Sequence, residues 1–523
     1  MNRQQNIARL QQRQNPWDVV IIGGGATGVY IALEAATRGL DTLLLEQSDF
    51  GKGTSSRSTK LVHGGVRYLK QGNIKLVTEA LRERALLHKN APHLVKDLAF
   101  LIPCQSRWER FFYGTGLKVY DYLAGRDRFA ASISISSEQA FKHAPGTKPD
   151  TLKGGVIYHD GQFDDARLLL SVAQTASTHD ACLLNYFAVK ELVKSSTGSV
   201  IGVVAGDQES GQEYQVDARC VINATGPFSD AVRKLDDATQ SEIIAPSQGV
   251  HLVVSREFFP GETALIVPKT SDGRVIFIIP WHDRIIIGTT DTLIPDPLLE
   301  PIAQEQEIDF LIETANRYLA KEISRADILS IYTGIRPLVK DKSAGKTAAI
   351  SRDHLIQVSD SGMITIAGGK WTTARKMAED CINTAASLHK FPAKESSTQA
   401  VKLHGYQETS GQLTHRSVYG TDLAGIEEIE AAHPETAIPI CEELPLRPSE
   451  VIWAARQEMA RTVDDVLARR TRMLFLNAKA TLNIAPTVAE ILAKELDYDQ
   501  QWCENQLEEF KAICKRFLPE VSS

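Results

Sequence analysis

The sequence predicts an α/β protein in which a domain built on parallel strands is combined with a β-rich domain and followed by a helical domain. Three observations lead to this prediction. A strand–glycine turn–helix–strand unit stands near the start, β-branched runs recur after about residue 150, and strand-like runs vanish after about residue 400. We therefore expect a polar N-terminal extension (1–16), two interleaved domains (17–400) and a helical C-terminal cap domain (401–523).

Composition narrows the class of protein. Hydrophobic residues make up 43% and charged residues 24% of the 523 residues, which is typical of a globular protein. The net charge of -7 argues against a nucleic-acid-binding protein but leaves room for a local basic site that binds a small anion. The seven cysteines form no CxxC pair, so we predict no metal site and a reducing compartment.

The individual elements follow from hydrophobic patterns. An apolar run over 18–22 predicts a buried strand, 26–38 a helix and 41–45 a second strand, which together make a βαβ unit. Two runs around residues 281–284 predict a β-hairpin. Further predicted strands cover 154–158, 200–204, 250–254, 274–279, 285–289 and 363–366, and predicted helices cover 74–89, 449–476 and 487–517.

The βαβ unit carries a GxGxxG motif at its first turn. Gly23 allows the tight turn, Gly25 lets a pyrophosphate approach the backbone, and Gly28 lets the helix pack closely on the strand. Glu46 ends the second strand, where its carboxylate can accept hydrogen bonds from ribose hydroxyls. The motif in this context predicts a Rossmann-type dinucleotide site with the phosphates at the helix N-terminus.

This unit alone fits NAD as well as FAD, and two later segments favour FAD. A second strand–glycine turn–helix start covers 364–373, and another strand ends at 223–226. FAD is long enough to need distant segments at both of its ends. A helix that begins near residue 373 can also stabilise negative charge on a reduced flavin ring.

Longer motifs resemble those of a known family. The segment 51–69, GKGTSSRSTKLVHGGVRYL, is similar to the hallmark segment of FAD-dependent glycerol-3-phosphate dehydrogenases. The same resemblance holds for NATGP at 223–227, IGTTD at 287–291, GIRP at 334–337, GGKWTT at 368–373 and a cap helix at 461–472. It implies a fold of the D-amino-acid-oxidase-like group, with FAD as the cofactor.

The glycine motif and the resemblance together predict the residues that bind FAD. They lie in the first βαβ unit, in the hallmark segment and at the ends of two later strands. They are Gly23, Gly25, Gly28, Glu46, Thr54, Ser55, Ser58, Thr59, Lys60, His63, Gly64, Gly65, Ala224, Gly226, Gly369, Lys370, Trp371 and Thr372.

The implied reaction is oxidation of the C2 hydroxyl of sn-glycerol 3-phosphate to dihydroxyacetone phosphate, with a hydride passing from C2 to flavin N5. By resemblance, Arg67 and Lys370 bind the phosphate, and Thr373 adds a hydroxyl contact. Arg336 stabilises the developing alkoxide, and His251 is the candidate base. A histidine pKa near 6.5 suits proton acceptance at neutral pH. Taken alone, a strand histidine is more often a core residue whose hydrogen bonds are satisfied.

Three further polar residues are explained by structural rather than catalytic roles. His282 and Asp283 fall on the tip of the predicted hairpin, where ordinary turn polarity is the favoured interpretation. Asp291 is interpreted as structural, holding a loop near the flavin.

The electrons must leave the flavin, and the resemblance implies a membrane quinone as acceptor. The apolar stretches 19–36 and 275–288 are interrupted, so any membrane contact is expected to be peripheral, on the inner face of the cell membrane and facing the cytoplasm. The segment 107–129 interleaves aromatic and basic residues as an interfacial segment does, although such aromatics more often pack inside a domain.

Other functions stay open at this point. An amine or hydroxy-acid oxidase of the same fold group would not need two cations for a phosphate. A soluble glycerol-3-phosphate oxidase that uses oxygen has the same substrate. A non-catalytic flavin-binding scaffold is the alternative from a different class. The oligomeric state is open, with a homodimer as one option, as is covalent attachment of the flavin.

Overall fold

A computed structural model describes residues 1–66, 72–268, 270, 274–340, 354–392, 394–408 and 413–519. The strands are β1 (Trp17–Ile22), β2 (Thr42–Leu45), β3 (Leu61–Val62), β4 (Val95–Pro103), β5 (Ile133–Ile135), β6 (Gly155–Phe163), β7 (Cys182–Leu184), β8 (Phe187–Lys194), β9 (Val200–Asp207), β10 (Glu213–Asn223), β11 (Ile244–Ser255), β12 (Ala264–Val267), β13 (Ile276–Trp281), β14 (Arg284–Gly288), β15 (Thr292–Leu293), β16 (Ile328–Val339), β17 (His354–Val358) and β18 (Ile364–Gly368). The helices are α1 (Arg3–Gln11), α2 (Ala26–Thr37), α3 (Ile74–Asn90), α4 (Arg107–Ala124), α5 (Ser137–His143), α6 (Asp165–Thr178), α7 (Ser229–Asp236), α8 (Glu305–Asn316), α9 (Ala374–His389), α10 (Leu423–Ala432), α11 (Pro448–Gln457), α12 (Met473–Leu476), α13 (Ala478–Leu496) and α14 (Gln500–Lys515). The predicted fold class, α/β with a helical C-terminal part, is confirmed.

The first sheet is the nucleotide-binding sheet. Its strand order is β17-β18-β10-β1-β2-β7, and β1 pairs in parallel with both β2 and β10. Strand β18 also runs parallel to β10, so the carboxyl ends of β1, β2, β10 and β18 lie at one edge of the sheet. This topology brings the predicted glycine turns at 23–28 and 368–369 to the same edge, where α/β sheets bind their ligands.

The second sheet is larger and mostly antiparallel. Its strand order is β15-β11-β14-β13-β12-β4-β6-β3, with β16 paired to β11 and β5 paired to β6. The long strands β11 and β16 set His251 opposite Tyr332, and β14 sets Gly288 on the other side of His251. The predicted hairpin is confirmed as β13 and β14, joined by His282 and Asp283 at φ 44° and 57°.

The C-terminal helices differ from the sequence prediction. The predicted helix 449–476 is broken into α11, a π-helical turn (Asp465–Arg470) and α12. Left-handed residues stand at two of the breaks, Met459 and Arg472, with φ 55° and 64°. The predicted helix 487–517 is likewise two helices, α13 and α14, separated at the left-handed Asp497. Hydrophobic periodicity continued across these breaks, which is why the prediction was wrong there.

The N-terminal residues are ordered against the first sheet. Helix α1 covers much of the predicted polar extension and lies beside the edge strand β7, where Asn6 donates a hydrogen bond to the Leu183 carbonyl at 2.8 Å. Arg3 forms a buried ion pair with Asp207 at 2.5 Å. The helix therefore covers a sheet edge that would otherwise be exposed.

Candidate active site

The first glycine turn connects β1 to α2. Gly23 has φ +110°, a conformation that side chains rarely adopt. A Cβ at Gly28 would lie 1.9 Å from the Gly23 carbonyl oxygen, so the strand and the helix can approach closely only with glycine there. Ser55 closes the turn from the other side, because its hydroxyl accepts a hydrogen bond from the Ala26 N–H at 2.8 Å. The turn leaves an open cradle at the start of α2.

Glu46 stands at the end of β2, as predicted. Its two carboxylate oxygens accept backbone N–H bonds from Gly24 at 2.6 Å and from Ser48 at 2.8 Å. Burial raises the pKa of Glu46, and these two bonds oppose the increase. A carboxylate has about four lone-pair positions, so Glu46 retains acceptor capacity for ribose hydroxyls on the side that faces the cleft.

A cleft of about 600 Å³ runs along these elements, within the usual range for cofactor sites. It is lined by both glycine turns, by the hallmark segment and by the strands β11 and β16 of the second sheet. The predicted site residues on its wall are Gly23, Gly25, Glu46, Thr54, Ser55, Ser58, Thr59, His63, Ala224, Gly226, His251, Arg336, Gly369, Lys370, Trp371 and Thr372. The wall of the cleft thus combines segments about 340 residues apart in the chain, as the binding of an elongated dinucleotide requires.

Four of the residues predicted to bind FAD do not line this cleft. Gly28 fills the joint between strand and helix described above. Lys60 is buried and its ammonium pairs with Asp165 at 2.7 Å, so it does not face the cofactor. A Cβ at Gly64 would lie 2.4 Å from the Tyr120 hydroxyl, which makes its role one of close packing. The fourth, Gly65, is left-handed at φ 79° and also lies off the cleft wall.

The two remaining predicted residues concern the phosphate. Thr373 lies just outside the cleft wall, in the helical turn beside Lys370, and donates a hydrogen bond to the Lys370 carbonyl at 3.3 Å. Arg67 lies outside the described residues and stays a prediction.

His251 is buried beside the part of the cleft that β11 and β16 line. Its ring stacks on Tyr332 with a centroid distance of 4.5 Å and an interplanar angle of 9°. Its Nε2 shares a hydrogen bond with the Thr59 hydroxyl at 2.9 Å. Burial, together with the positive charges of Arg336 and Lys60, holds the pKa of His251 well below its usual value. The imidazole is therefore neutral at physiological pH, and its pKa departs downward from the unperturbed value near 6.5.

Arg336 lies on β16 and reaches over the neighbouring strand β11. Its guanidinium donates to the Thr289 hydroxyl at 3.2 Å and to Asp291 at 3.3 Å. Asp291 also accepts a hydrogen bond from the Ser247 hydroxyl. Asp291 thus orients the arginine, a structural role near the cleft that agrees with its sequence interpretation.

His282 departs from its predicted role. Only 3% of its side chain is exposed, and its Nε2 contacts Asp164 at 3.3 Å. Asp164 in turn pairs with the buried Arg472 at 2.9 Å. The histidine therefore joins a buried ionic cluster between the second sheet and the C-terminal helices, and ordinary turn polarity is a wrong explanation for it.

Sequence reasoning missed several residues that shape the site. Tyr332 carries the His251 ring, and Gly288 and Gly249 leave room for the His251 and Arg336 side chains. Lys52 and Arg57 also line the cleft, where Glu300 pairs with both, at 2.6 Å and 2.5 Å. Lys52 and Arg57 fall within the hallmark segment 51–69 and Gly288 within the motif 287–291, so their positions were visible in the sequence although their contacts were not.

The fold and the cleft define a class: a flavoprotein with a Rossmann-type FAD domain and a β-rich substrate domain. Residues 18–375 match the family described as "FAD dependent oxidoreductase", and residues 363–503 match the "C-terminal domain of alpha-glycerophosphate oxidase". The glycine cradle, Glu46 and the size of the cleft fit this cofactor, and the chain uses FAD.

Similar proteins narrow the class further. The chain is 41% identical to the human "Glycerol-3-phosphate dehydrogenase, mitochondrial" over 95% of its own length and 73% of that protein. It is 36% identical to the Schizosaccharomyces pombe protein of the same name, covering 92% of this chain and 85% of that one. The crystal structure of the Bacillus halodurans glycerol-3-phosphate dehydrogenase complexed with FAD superposes with a TM-score of 0.81 at 29% identity, covering 100% of this chain and 98% of that one. The chain belongs to the FAD-dependent glycerol-3-phosphate dehydrogenase family.

Proposed function

We propose that this enzyme oxidises sn-glycerol 3-phosphate to dihydroxyacetone phosphate with His251 as the proton acceptor and Arg336 as the group that stabilises the alkoxide. The observation that carries the assignment is the pairing of a neutral, buried imidazole with a guanidinium in one cleft, beside the cofactor cradle. When bound, FAD accepts the hydride from C2 at its N5 atom.

The phosphate end requires positive charge. Lys370 lines the same cleft directly after the second glycine turn, and Thr373 follows in the adjoining helical turn. Together with Arg67, whose role rests on the family resemblance alone, Lys370 binds the phosphate dianion. Each charge-assisted hydrogen bond contributes about 1.5–3 kcal/mol. Phosphate binding at one end then fixes C2 and its hydroxyl at the His251 end.

Substrate binding also changes the chemistry of His251. In the ligand-free cleft, burial and then two cations disfavour the imidazolium. A bound phosphate dianion, and the alkoxide that develops at C2, add negative charge close to the ring and raise its pKa. Arg336 stabilises that same oxygen, so it lowers the barrier to losing the hydroxyl proton. The base is thus strengthened only when the substrate is present.

The direct test is anaerobic mixing with sn-glycerol 3-phosphate while the flavin absorbance is followed. We expect rapid bleaching in the wild type and at least about 100-fold slower bleaching in His251→Gln, with the flavin still bound. Lys370→Ala should raise the KM about tenfold or more, from the loss of one charged contact. Lys142→Ala, at an exposed lysine, is the control and should leave the bleaching rate and the KM unchanged. Wild-type bleaching rates in His251→Gln would remove the proposed base.

We further propose that the electrons pass to a quinone at a membrane surface. On α4, the side chains of Trp108, Phe111, Phe112 and Tyr122 are 70%, 64%, 51% and 84% exposed. Unlike Tyr120, which is buried, they do not pack inside the substrate domain. Basic residues flank them at Arg107, Arg110, Lys118, Arg126 and Arg128. Exposed rings beside cations suit the headgroup region of an anionic bilayer. Among the described helices, none has both the length and the apolar composition needed to cross a bilayer.

Flotation with liposomes that contain anionic lipid tests this docking. The wild type should float at low salt, and the double variant Trp108→Ser/Phe111→Ser should bind about tenfold more weakly, because two stacked rings no longer insert. Ile438→Ser removes an equally exposed apolar side chain from the C-terminal helical domain and serves as the control. Wild-type protein that stays at the bottom of the gradient would exclude the membrane proposal. Stoichiometric hydrogen peroxide during turnover in air would instead identify oxygen as the acceptor.

A further inference from the structure

The imidazole of His251 is held in place from several sides. Tyr332 stacks on one face of the ring, and the β14 backbone lies against its edge. A Cβ at Gly288 would lie 2.3 Å from the His251 Cδ2 atom, so no space remains on that side. The ring therefore cannot swing toward a substrate without moving a strand.

In the ligand-free cleft one ring nitrogen of His251 is enclosed and the other is hydrogen-bonded. Nδ1 is fully buried and has no hydrogen-bond partner among the described residues. Nε2 already shares a hydrogen bond with the Thr59 hydroxyl at 2.9 Å. Thr59 itself lines the cleft. The threonine hydroxyl therefore offers a hydrogen-bonded route from the cleft to the imidazole.

We propose that Thr59 relays the hydroxyl proton of the substrate to His251. This inference rests on the proposed role of His251 as the base. In the step, the substrate O–H bond breaks and its proton goes to Thr59 Oγ, while the Thr59 hydroxyl proton goes to His251 Nε2. The threonine ends the step as a hydroxyl again, the imidazole ends it as an imidazolium, and the C2 hydride leaves with its electron pair to the flavin. A hydroxyl can perform this exchange because it is both a donor and an acceptor.

The threonine is itself fixed in the segment that carries it. Its neighbours Ser58 and Lys60 both bind Asp165, through the Ser58 hydroxyl at 2.7 Å and the Lys60 ammonium at 2.7 Å. The Tyr332 hydroxyl donates to the Ser58 carbonyl at 3.1 Å. One residue, Tyr332, therefore sets the position of both the imidazole and the strand segment that presents Thr59. The relay has defined geometry without the substrate.

The test is a double-mutant cycle on the FAD-loaded enzyme, with the rate of anaerobic flavin reduction by glycerol 3-phosphate as the readout. Thr59→Val keeps the shape and removes the hydroxyl, and we expect it to slow reduction about 100-fold. Thr59→Ser restores a hydroxyl and should stay within about threefold of the wild type. In the His251→Gln background, Thr59→Val should slow flavin reduction less than about twofold, because the residue that accepts the relayed proton is already absent.

A second readout separates the relay from cofactor binding, the role that the family resemblance gives Thr59. The Kd for FAD, measured by fluorescence, should change less than about threefold in Thr59→Val. The relay would be overturned if Thr59→Val slowed flavin reduction equally in the wild-type and His251→Gln backgrounds. It would also be overturned if Thr59→Val lowered only the affinity for FAD. If flavin reduction is slow in His251→Gln but proceeds at the wild-type rate in Thr59→Val, the relay is overturned and the proposed role of His251 as the base stands. A wild-type rate in His251→Gln would overturn both.

Discussion

At the residue scale, glycines make the space in which the two proposed catalytic side chains lie. Gly288 stands against His251, and Gly249 stands against Arg336, where a Cβ would come within 2.5 Å of a guanidinium nitrogen. Neither glycine adopts a left-handed conformation. Their requirement is therefore steric: His251 lies directly across from Gly288 on the adjacent antiparallel strand, and Arg336 lies two positions beyond Gly334, the direct partner of Gly249.

Gly288→Ala should consequently damage catalysis more than folding. The new methyl group lies on the ring position of His251, so the imidazole must shift away from Thr59. We expect the rate of flavin reduction to fall about 10- to 100-fold, with FAD content unchanged, as measured by stopped flow and absorbance. Gly116→Ala, where the added Cβ meets nothing within 4 Å, is the matched control. An active Gly288→Ala enzyme would mean that the position of the ring is not critical.

The sequence offered His251 and Arg336 as candidates through the family resemblance, and their proposed roles stay predictions. It did not give their environment. The contact between Thr59 and His251 joins residues 192 positions apart, and no local pattern reports such a pair. The depressed pKa of His251 also depends on burial first and on two cations from other segments, so sequence alone suggested an ordinary value.

At the scale of elements, buried charges fix the C-terminal helical turn against the FAD domain. Asp49, in the loop after β2, accepts hydrogen bonds from Arg469 at 2.6 Å and from Arg470 at 2.6 and 2.8 Å. Although burial opposes ionisation, Arg470 and Arg469 hold the pKa of Asp49 below its usual range. Hydrophobic periodicity predicted one continuous helix over this segment. Periodicity cannot show that the polar face of the segment is also buried, because its partner Asp49 lies more than 400 positions away in the chain.

Asp49→Ala should therefore be strongly destabilising. It leaves two buried guanidinium groups without their shared carboxylate, which costs about 3–5 kcal/mol in other buried pairs. Urea unfolding followed by circular dichroism measures the change. Arg456→Ala breaks the more exposed pair with Glu495 and should cost less than about 1 kcal/mol. Equal effects in the two variants would show that the buried cluster does not hold the elements together.

A buried histidine in the connection between α3 and β4 packs against the C-terminal segment and should make this contact sensitive to acid. Burial, and then the charge of Arg167, lowers the pKa of His93 to about 4. Gly405 and Gly420 pack directly against its ring. A histidine with a lowered folded-state pKa stabilises the fold above its unfolded value of about 6.5, and that contribution is lost as the pH falls toward about 4.

The expected loss is up to about 3 kcal/mol between those two pH values, from a difference of about 2.5 pKa units. The free energy of unfolding of the wild type and of His93→Gln should be measured across this range. We expect the difference between the two proteins to shrink as the pH falls, because only the wild type must protonate His93 on acid unfolding. A constant difference across the range would contradict the assignment.

At the scale of the whole molecule, the two sheets line the cleft and the C-terminal helical part contacts residues in its wall and behind it. The first sheet supplies the cofactor cradle and the second sheet supplies His251 and Arg336. The helical C-terminal part touches both: Asp464 pairs with Lys52 at 2.6 Å, and Phe475 packs on Tyr332 with a centroid distance of 5.1 Å. The sequence predicted the order in which the parallel-strand, β-rich and helical parts follow one another. It did not predict that they contact one another around the cleft, because those contacts are long-range and no local pattern encodes them.

The central claim is that one cleft holds the phosphate at Lys370 and the reacting oxygen at the His251–Arg336 end. A crystal structure of the FAD-loaded enzyme with dihydroxyacetone phosphate tests it most directly. We predict the phosphate within hydrogen-bond distance of Lys370, and the C2 oxygen within about 3.2 Å of both Thr59 Oγ and the Arg336 guanidinium. A product molecule bound with its C2 oxygen away from these groups, or with its phosphate at Arg336, would contradict the account.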